Sequence, residues 1–134
     1  MKRVLVVCTG NSCRSQMAES IFRSVRPHLE VVSAGVKPAD LVSIKAMHVL
    51  IEKQFPTDGL YTKNVSDVNN QQFDVVVTLG DTAQRLCPNF PDTTITLHVP
   101  FDDPYEATGS PNEILNEYRR IRDEIEEWIR SLDW

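Results

Sequence analysis

The order of apolar patterns along the chain predicts a three-layer α/β fold: a four-stranded parallel sheet with helices on both faces. Two observations carry this. The strand-like runs are short, β-branched and almost continuously apolar, as strands covered on both sides are. Between them apolar residues recur every three or four positions, the mark of a helix with one buried side. The order reads β-α-β-α-(α)-β-α-β-α, and 134 residues suit a single domain over 1–134.

Arg3 to Val7 (RVLVV) is the first predicted strand, and the polar stretch from Cys8 to Arg14 is a loop. From Ser15 the residues Met17, Ile21, Phe22 and Val25 keep helical spacing until Pro27 stops them. Leu29 to Ser33 reads as a second strand, followed by Ala34-Gly35. Leu41, Ile44, Met47, Leu50 and Ile51 form a second helical stripe ending before Pro56. Residues 56–72 are polar and carry at most a short helix from Ser66. Phe73 to Leu79 (FDVVVTL) is the clearest strand, Asp81 to Leu86 a helical turn cut by Pro88, and Thr93 to Val99 a fourth strand.

The last segment is the best-specified helix. Ser110 offers an N-cap, Pro111 a first helical position and Glu113 the third residue of a capping box. Ile114, Tyr118, Ile121, Ile125, Trp128 and Leu132 then repeat at helical spacing. Trp128 and Trp134 are expected to pack into the core and its end.

Fourteen basic against nineteen acidic side chains give a net charge of −5. Such a balance opposes non-specific nucleic-acid binding. No apolar run reaches the ~18 residues that span a bilayer, and the short run after MKR is no signal segment. A cytoplasmic protein with no membrane or nucleic-acid partner is expected. Three cysteines, Cys8, Cys13 and Cys87, do not make a structural disulfide framework. His28, His48 and His98 are scattered, and no metal-ligand spacing is present.

In parallel sheets of this kind ligands bind beyond the carboxyl ends of the strands. The loop after the first strand, Cys8-Thr9-Gly10-Asn11-Ser12-Cys13-Arg14-Ser15, stands at that edge. A cysteine ends the strand, an arginine six places on opens the helix, and the residues between are small and polar. A tight turn into a helix points its amide N–H groups inward, and the helix dipole adds positive charge there. Thr9, Gly10, Asn11, Ser12, Cys13 and Arg14 are therefore candidate oxyanion binders. Gly10 is expected to take a positive φ or to let the backbone approach a ligand. The Arg14 guanidinium can grip two oxygens of a tetrahedral anion. The same donors favour the thiolate form of Cys8, a candidate nucleophile, with Ser15 able to donate a hydrogen bond to it. A nucleotide-type phosphate loop is excluded because no lysine follows, and the dinucleotide glycine pattern is absent.

A leaving group needs a proton. Pro100-Phe101-Asp102-Asp103-Pro104-Tyr105 follows the fourth strand at the same sheet edge. Proline holds its predecessor extended, which aims Asp103 at the site as the candidate acid.

CTGNSCRSQMAE, VSAG, FDVVVTL, FDDP and YRRIRDEIEEWI, in this order, resemble the low-molecular-weight protein tyrosine phosphatase family, and within it the arsenate reductase branch. The resemblance implies a four-stranded parallel sheet between helices. It implies Cys8 as nucleophile, Arg14 and the loop amides as oxyanion binders, Ser15 as support for the thiolate and Asp103 as general acid. It also implies a potassium site at Asn11, Glu19 and Ser33, with a fourth part around Ser66-Asp67.

Two chemistries share such a site. In a phosphatase Cys8 attacks phosphorus, Asp103 protonates the leaving phenolate and water hydrolyses the phosphocysteine. In an arsenate reductase Cys8 attacks arsenate, and a second thiol attacks the Cys8 sulfur to release arsenite and leave a disulfide. Neither requires a metal. Thioredoxin-coupled reductases of the family carry two cysteines after the third strand; here the first position is Gly80 and only Cys87 remains. Either Cys87 completes the reaction, or thioredoxin, or glutathione or mycothiol with a glutaredoxin-like partner, supplies the thiol. Arsenate reduction is the expected activity, with phosphate as competitor. Tyr105, directly after Asp-Pro, instead resembles the phosphatase branch, where it flanks the phosphotyrosine ring. A non-catalytic oxyanion sensor is the third reading.

Overall fold

In the computed structural model, which describes residues 2–134, four parallel strands form one sheet in the order β2-β1-β3-β4. They are β1 (Arg3–Cys8), β2 (Glu30–Gly35), β3 (Val75–Thr78) and β4 (Ile95–His98). Four helices connect or follow them: α1 (Arg14–Val25), α2 (Ile44–Glu52), α3 (Asp81–Leu86) and α4 (Pro111–Ser131). Short 3₁₀ turns lie at Val65–Asp67 and Pro104–Glu106.

The first strand is central. It pairs with β2 through Val4↔Val31 to Cys8↔Gly35 and with β3 through Val4↔Val75 to Val7↔Thr78. The chain leaves β1 toward one edge and returns across it toward the other. That reversal opens a crevice beyond the carboxyl ends of β1 and β3.

Side chains alternate along the buried strands. Val4, Val6, Val75 and Val77 face a core built with Met17, Ile21 and Phe22 of α1, Leu50 of α2, and Ile121, Ile125 and Ile129 of α4. Leu5, Val7 and Val76 face the opposite way, onto a smaller cluster with Ala83, Val65, Val68 and Phe73. Both faces are covered, as continuous apolar strands require. Phe22 is fully buried, edge-on to Trp128 and stacked with Trp134, as expected of those tryptophans. The capping box of Ser110 and Glu113 opens α4, a device that typically contributes about 1 kcal/mol.

Three elements differ from the sequence reading. Strand β2 continues through Ala34-Gly35, because its pairing with β1 runs to Cys8. The stripe assigned to α2 is only half buried. Ser43 caps the helix by accepting from Ala46 N, so Leu41 lies outside it, and Leu41, Ile44 and Ile51 stand exposed while Ala46, Val49 and Leu50 face the core. The short helix sought from Ser66 is the 3₁₀ turn, capped by Asn64. No helix of the described residues is long and apolar enough to cross a membrane.

Candidate active site

The loop between β1 and α1 is bent inward by bonds made on its outside. The carbonyls of Cys8, Thr9, Gly10 and Ser12 accept from the N–H groups of Val36, Lys37, Ala39 and Ser43. The Asn11 carbonyl accepts from Gln16 Nε2, and that of Cys13 from Met17 N. With these carbonyls held outward, the intervening N–H groups turn toward the opposite side, because N–H and C=O of one peptide unit point apart. One of them, Asn11 N, lies 3.2 Å from Cys8 Sγ.

The positive φ of this loop falls on Asn11, at 50°, and not on Gly10, so of the two roles the sequence offers that glycine the first is not taken. Asparagine tolerates the left-handed region better than other side chains, and here its own hydrogen bonds hold it there. Gly10 has room: a Cβ on it would make only ordinary contacts at 3.8 Å with Ala39 and Ser12. The glycine that matters sterically is Gly35. A Cβ there would stand 2.7 Å from the Thr9 carbonyl oxygen and 2.9 Å from Asn11 N. In the sequence Ala34-Gly35 is only a glycine after a strand; its place beside the loop, which gives it this role, comes from the fold.

Cys8 Sγ lies 2.9 Å from Ser15 Oγ. The sulfur forms part of the floor of a cavity of about 270 Å³, lined also by Gly10, Ser12, Arg14, Ala39 and Asp103. Cys13, Thr9 and Tyr105 complete its wall. Arg14 is anchored by its own fork: Nη1 donates to the carbonyls of Leu79 and Phe101, and Nη2 lies 3.4 Å from Asp103 Oδ2. Asp103 caps the 3₁₀ turn, its Oδ1 accepting from Tyr105 N. Asp102 instead faces solvent and pairs with Arg120 on α4. Tyr105 is 75 % exposed at the cavity mouth.

The three thiols are free and separately placed. Cys13 is buried, 3.6 Å from Tyr118 Oη, and burial pushes its thiol up, only partly offset by hydrogen bonds from Tyr118 and Ser43. Cys87 ends α3 and packs beside the Leu5–Val7 face of the sheet, while Cys8 belongs to the Val4–Val6 face. It lines a different cavity with Val76, Phe90 and His98, and burial raises its thiol as well. Cys8, Thr9, Gly10, Asn11, Ser12, Cys13, Arg14, Ser15, Asp103 and Tyr105 are thus gathered at one sheet edge, and Cys87 is not among them.

A parallel sheet whose central strand delivers a cysteine into an amide-lined, arginine-closed anion loop defines a protein built to hold a tetrahedral oxyanion against a sulfur. The chain belongs to the low molecular weight phosphotyrosine protein phosphatase family, which it matches over residues 3–133. It is 38 % identical over 132 residues to an arsenate reductase of Staphylococcus epidermidis, covering 97 % of this chain and 95 % of that one. Its fold superposes on a solved arsenate reductase in the oxidized state with a TM-score of 0.82 at 26 % identity, covering 98 % of this chain and 96 % of the other. A low molecular weight protein tyrosine phosphatase from T. tengcongensis gives 0.78 at 27 % identity, over 96 % of this chain and 95 % of that one.

Proposed function

We propose that this chain is an arsenate reductase with Cys8 as its nucleophile. The observation that carries the reading is the Cys8 sulfur at the floor of the cavity, bonded by Asn11 N and Ser15 Oγ, with Arg14 at the rim. The likeness to arsenate reductases across nearly the whole chain supports it.

Arsenate enters as an oxyanion held by the loop amides and Arg14. The Cys8 thiolate attacks arsenic(V), an As–S bond forms, and an arsenic-bound hydroxyl leaves as water after taking one proton, a role open to Asp103 in its protonated form, beside Arg14. A second thiolate then attacks Cys8 Sγ. The As–S electron pair passes to arsenic, which leaves as arsenite, while the two sulfurs form a disulfide; two electrons are gained by arsenic and two lost by the thiols. Thiol chemistry therefore supplies the reductant. With no sulfur at position 80 and Cys87 beneath the opposite face, the second thiol comes from outside the chain, as a small thiol or a redox protein.

The exposed Tyr105 ring at the cavity mouth favours a second activity, hydrolysis of aryl phosphates through a phosphocysteine with Asp103 as acid. One purified sample given arsenate with thioredoxin, glutathione–glutaredoxin or mycothiol–mycoredoxin, and separately p-nitrophenyl phosphate, tests both. Thiol-dependent arsenite release supports the first reading. Hydrolysis without arsenite release leaves a phosphatase, and neither activity leaves an oxyanion sensor.

A further inference from the structure

The potassium site implied by Asn11, Glu19, Ser33 and the Ser66-Asp67 segment does not fit the atoms present. Asn11 Oδ1, which would face an ion, accepts the main-chain N–H of Lys63 at 2.8 Å. Glu19 Oε1 accepts from Ser33 N at 3.0 Å and Ser33 Oγ at 2.9 Å, and its Oε2 is paired with Arg23. Ser66 and Asp67 are exposed, and Ser66 Oγ bonds Asn64 instead. A cation of the chain's own already stands there. Lys63 Nζ lies 3.9 Å from Glu19 Oε1, donates to the Tyr61 carbonyl at 3.0 Å and sits 4.1 Å from the centre of the Tyr61 ring. Its side chain is only 9 % exposed. One buried acceptor near this cluster has no partner among the described residues, Gln16 Oε1; it is a single oxygen on a side chain whose Nε2 shares the Tyr61 carbonyl with Lys63.

The hydrogen bonds from this cation to the sulfur run in one direction. Because Asn11 Oδ1 faces an N–H, its Nδ2 must be the donor toward Ser15 Oγ, at 2.7 Å, and Ser33 Oγ, at 3.0 Å. Ser15 Oγ, receiving from Asn11, has its own proton free for Cys8 Sγ at 2.9 Å. Ser33, receiving likewise, gives its proton to Glu19. Glu19 is a buried carboxyl group, and burying such a group is costly unless cations and donors stand beside it. Arg23, 37 % exposed, supplies one cation and Lys63 the other. Burial draws the Lys63 ammonium below the usual lysine range, and Arg23 adds to the fall while Glu19 opposes it.

We propose that Lys63 is a built-in cation: its main-chain N–H orients Asn11, its ammonium holds Glu19 and Ser33 in register, and together they keep Ser15 a donor to Cys8 without any added monovalent ion. Lys63 is in this sense a positioning residue. The claim rests on Cys8 as the nucleophile, the premise of the proposed function.

The test reads the sulfur directly, by the rate at which iodoacetamide alkylates Cys8 at fixed pH and equal ionic strength in potassium, sodium or choline chloride. The wild-type rate and melting temperature are expected to be the same in all three salts. Lys63→Met is expected to slow Cys8 alkylation roughly tenfold, and Lys63→Arg, which keeps the charge, to stay within about twofold of wild type. A wild-type rate or melting temperature that rises specifically with potassium overturns the proposal without any variant, so a Lys63→Met chain that fails to fold does not shelter it. Alkylation of folded Lys63→Met at the wild-type rate overturns it too, as does Lys63→Arg falling as far as Lys63→Met. Alkylation needs no substrate, so a chain that behaves as expected here but never reduces arsenate fails only the proposed activity.

Discussion

Gly80 and Arg14 share one small space: a Cβ on Gly80 would stand 2.5 Å from Arg14 Nη1 and 3.2 Å from its Cζ. The backbone of Gly80 is extended, at φ −161°, which any residue adopts, so the restriction is contact and not strain. A side chain here displaces the guanidinium from the Leu79 and Phe101 carbonyls that anchor it. Gly80→Ala is therefore expected to fold with a nearly unchanged melting temperature and to bind anions more weakly, by roughly five- to tenfold. Competitive inhibition by phosphate, measured beside a thermal melt, checks it; unchanged inhibition shows that Arg14 is not held by this contact.

Thiol reactivity is expected to separate the three cysteines. Burial raises the thiols of Cys13 and Cys87, so both are mostly protonated at neutral pH. A raised value means a smaller thiolate fraction at any pH below it, and alkylation there climbs about tenfold per pH unit. Iodoacetamide at pH 7 should label Cys8 first, with protection by phosphate or arsenate, and Cys87 only as the pH rises. Peptide mass mapping over a pH series reads the order, and Cys87 labelled ahead of Cys8 at pH 7 contradicts it.

The two adjacent aspartates should respond unequally. Asp103 faces Arg14, whereas Asp102 pairs with Arg120 on the surface. Asp103→Asn is expected to lower p-nitrophenyl phosphate turnover by about 10²-fold, the usual worth of a positioned acid. Asp102→Asn should change it less than about twofold, since exposed ion pairs contribute little. Equal losses would remove Asp103 from the role of acid.

Cys87→Ser should retain arsenate reduction when an external thiol system is supplied, because Cys87 and Cys8 lie on opposite sheet faces. Cys8→Ser should abolish it. Loss of arsenite release in Cys87→Ser under every thiol system would show that Cys87 reaches the Cys8 adduct.

Much of this arrangement is legible in the sequence because local patterns and the sheet rule act together. The β-branched run before Cys8 fixes a buried strand, and the strand's carboxyl end fixes where Cys8, Arg14 and Asp103 gather. Features set by distant contacts escape a reading of neighbours. Lys63 is an ordinary basic residue in a polar stretch until the Gly35–Asn64 bridge brings it against Asn11 and Glu19. Leu41 and Ile44 fit a helical stripe, but the Ser43 cap turns them outward. A positive φ is expected first of a glycine, yet the bonds Asn11 donates to Ser15 and Ser33 and accepts from Lys63 N hold it on Asn11.

The sheet is unevenly clothed. Beneath the anion loop lie α1, α2 and α4, whereas β4 leaves Ile95 59 % and Leu97 37 % exposed and its neighbour α3 has only six residues. Thinly covered edges loosen at lower free energy than a central strand does. Should the sulfurs of positions 8 and 87 ever meet, the sparser covering around position 87 makes the β4 side the one expected to yield, with the anion cradle kept in place.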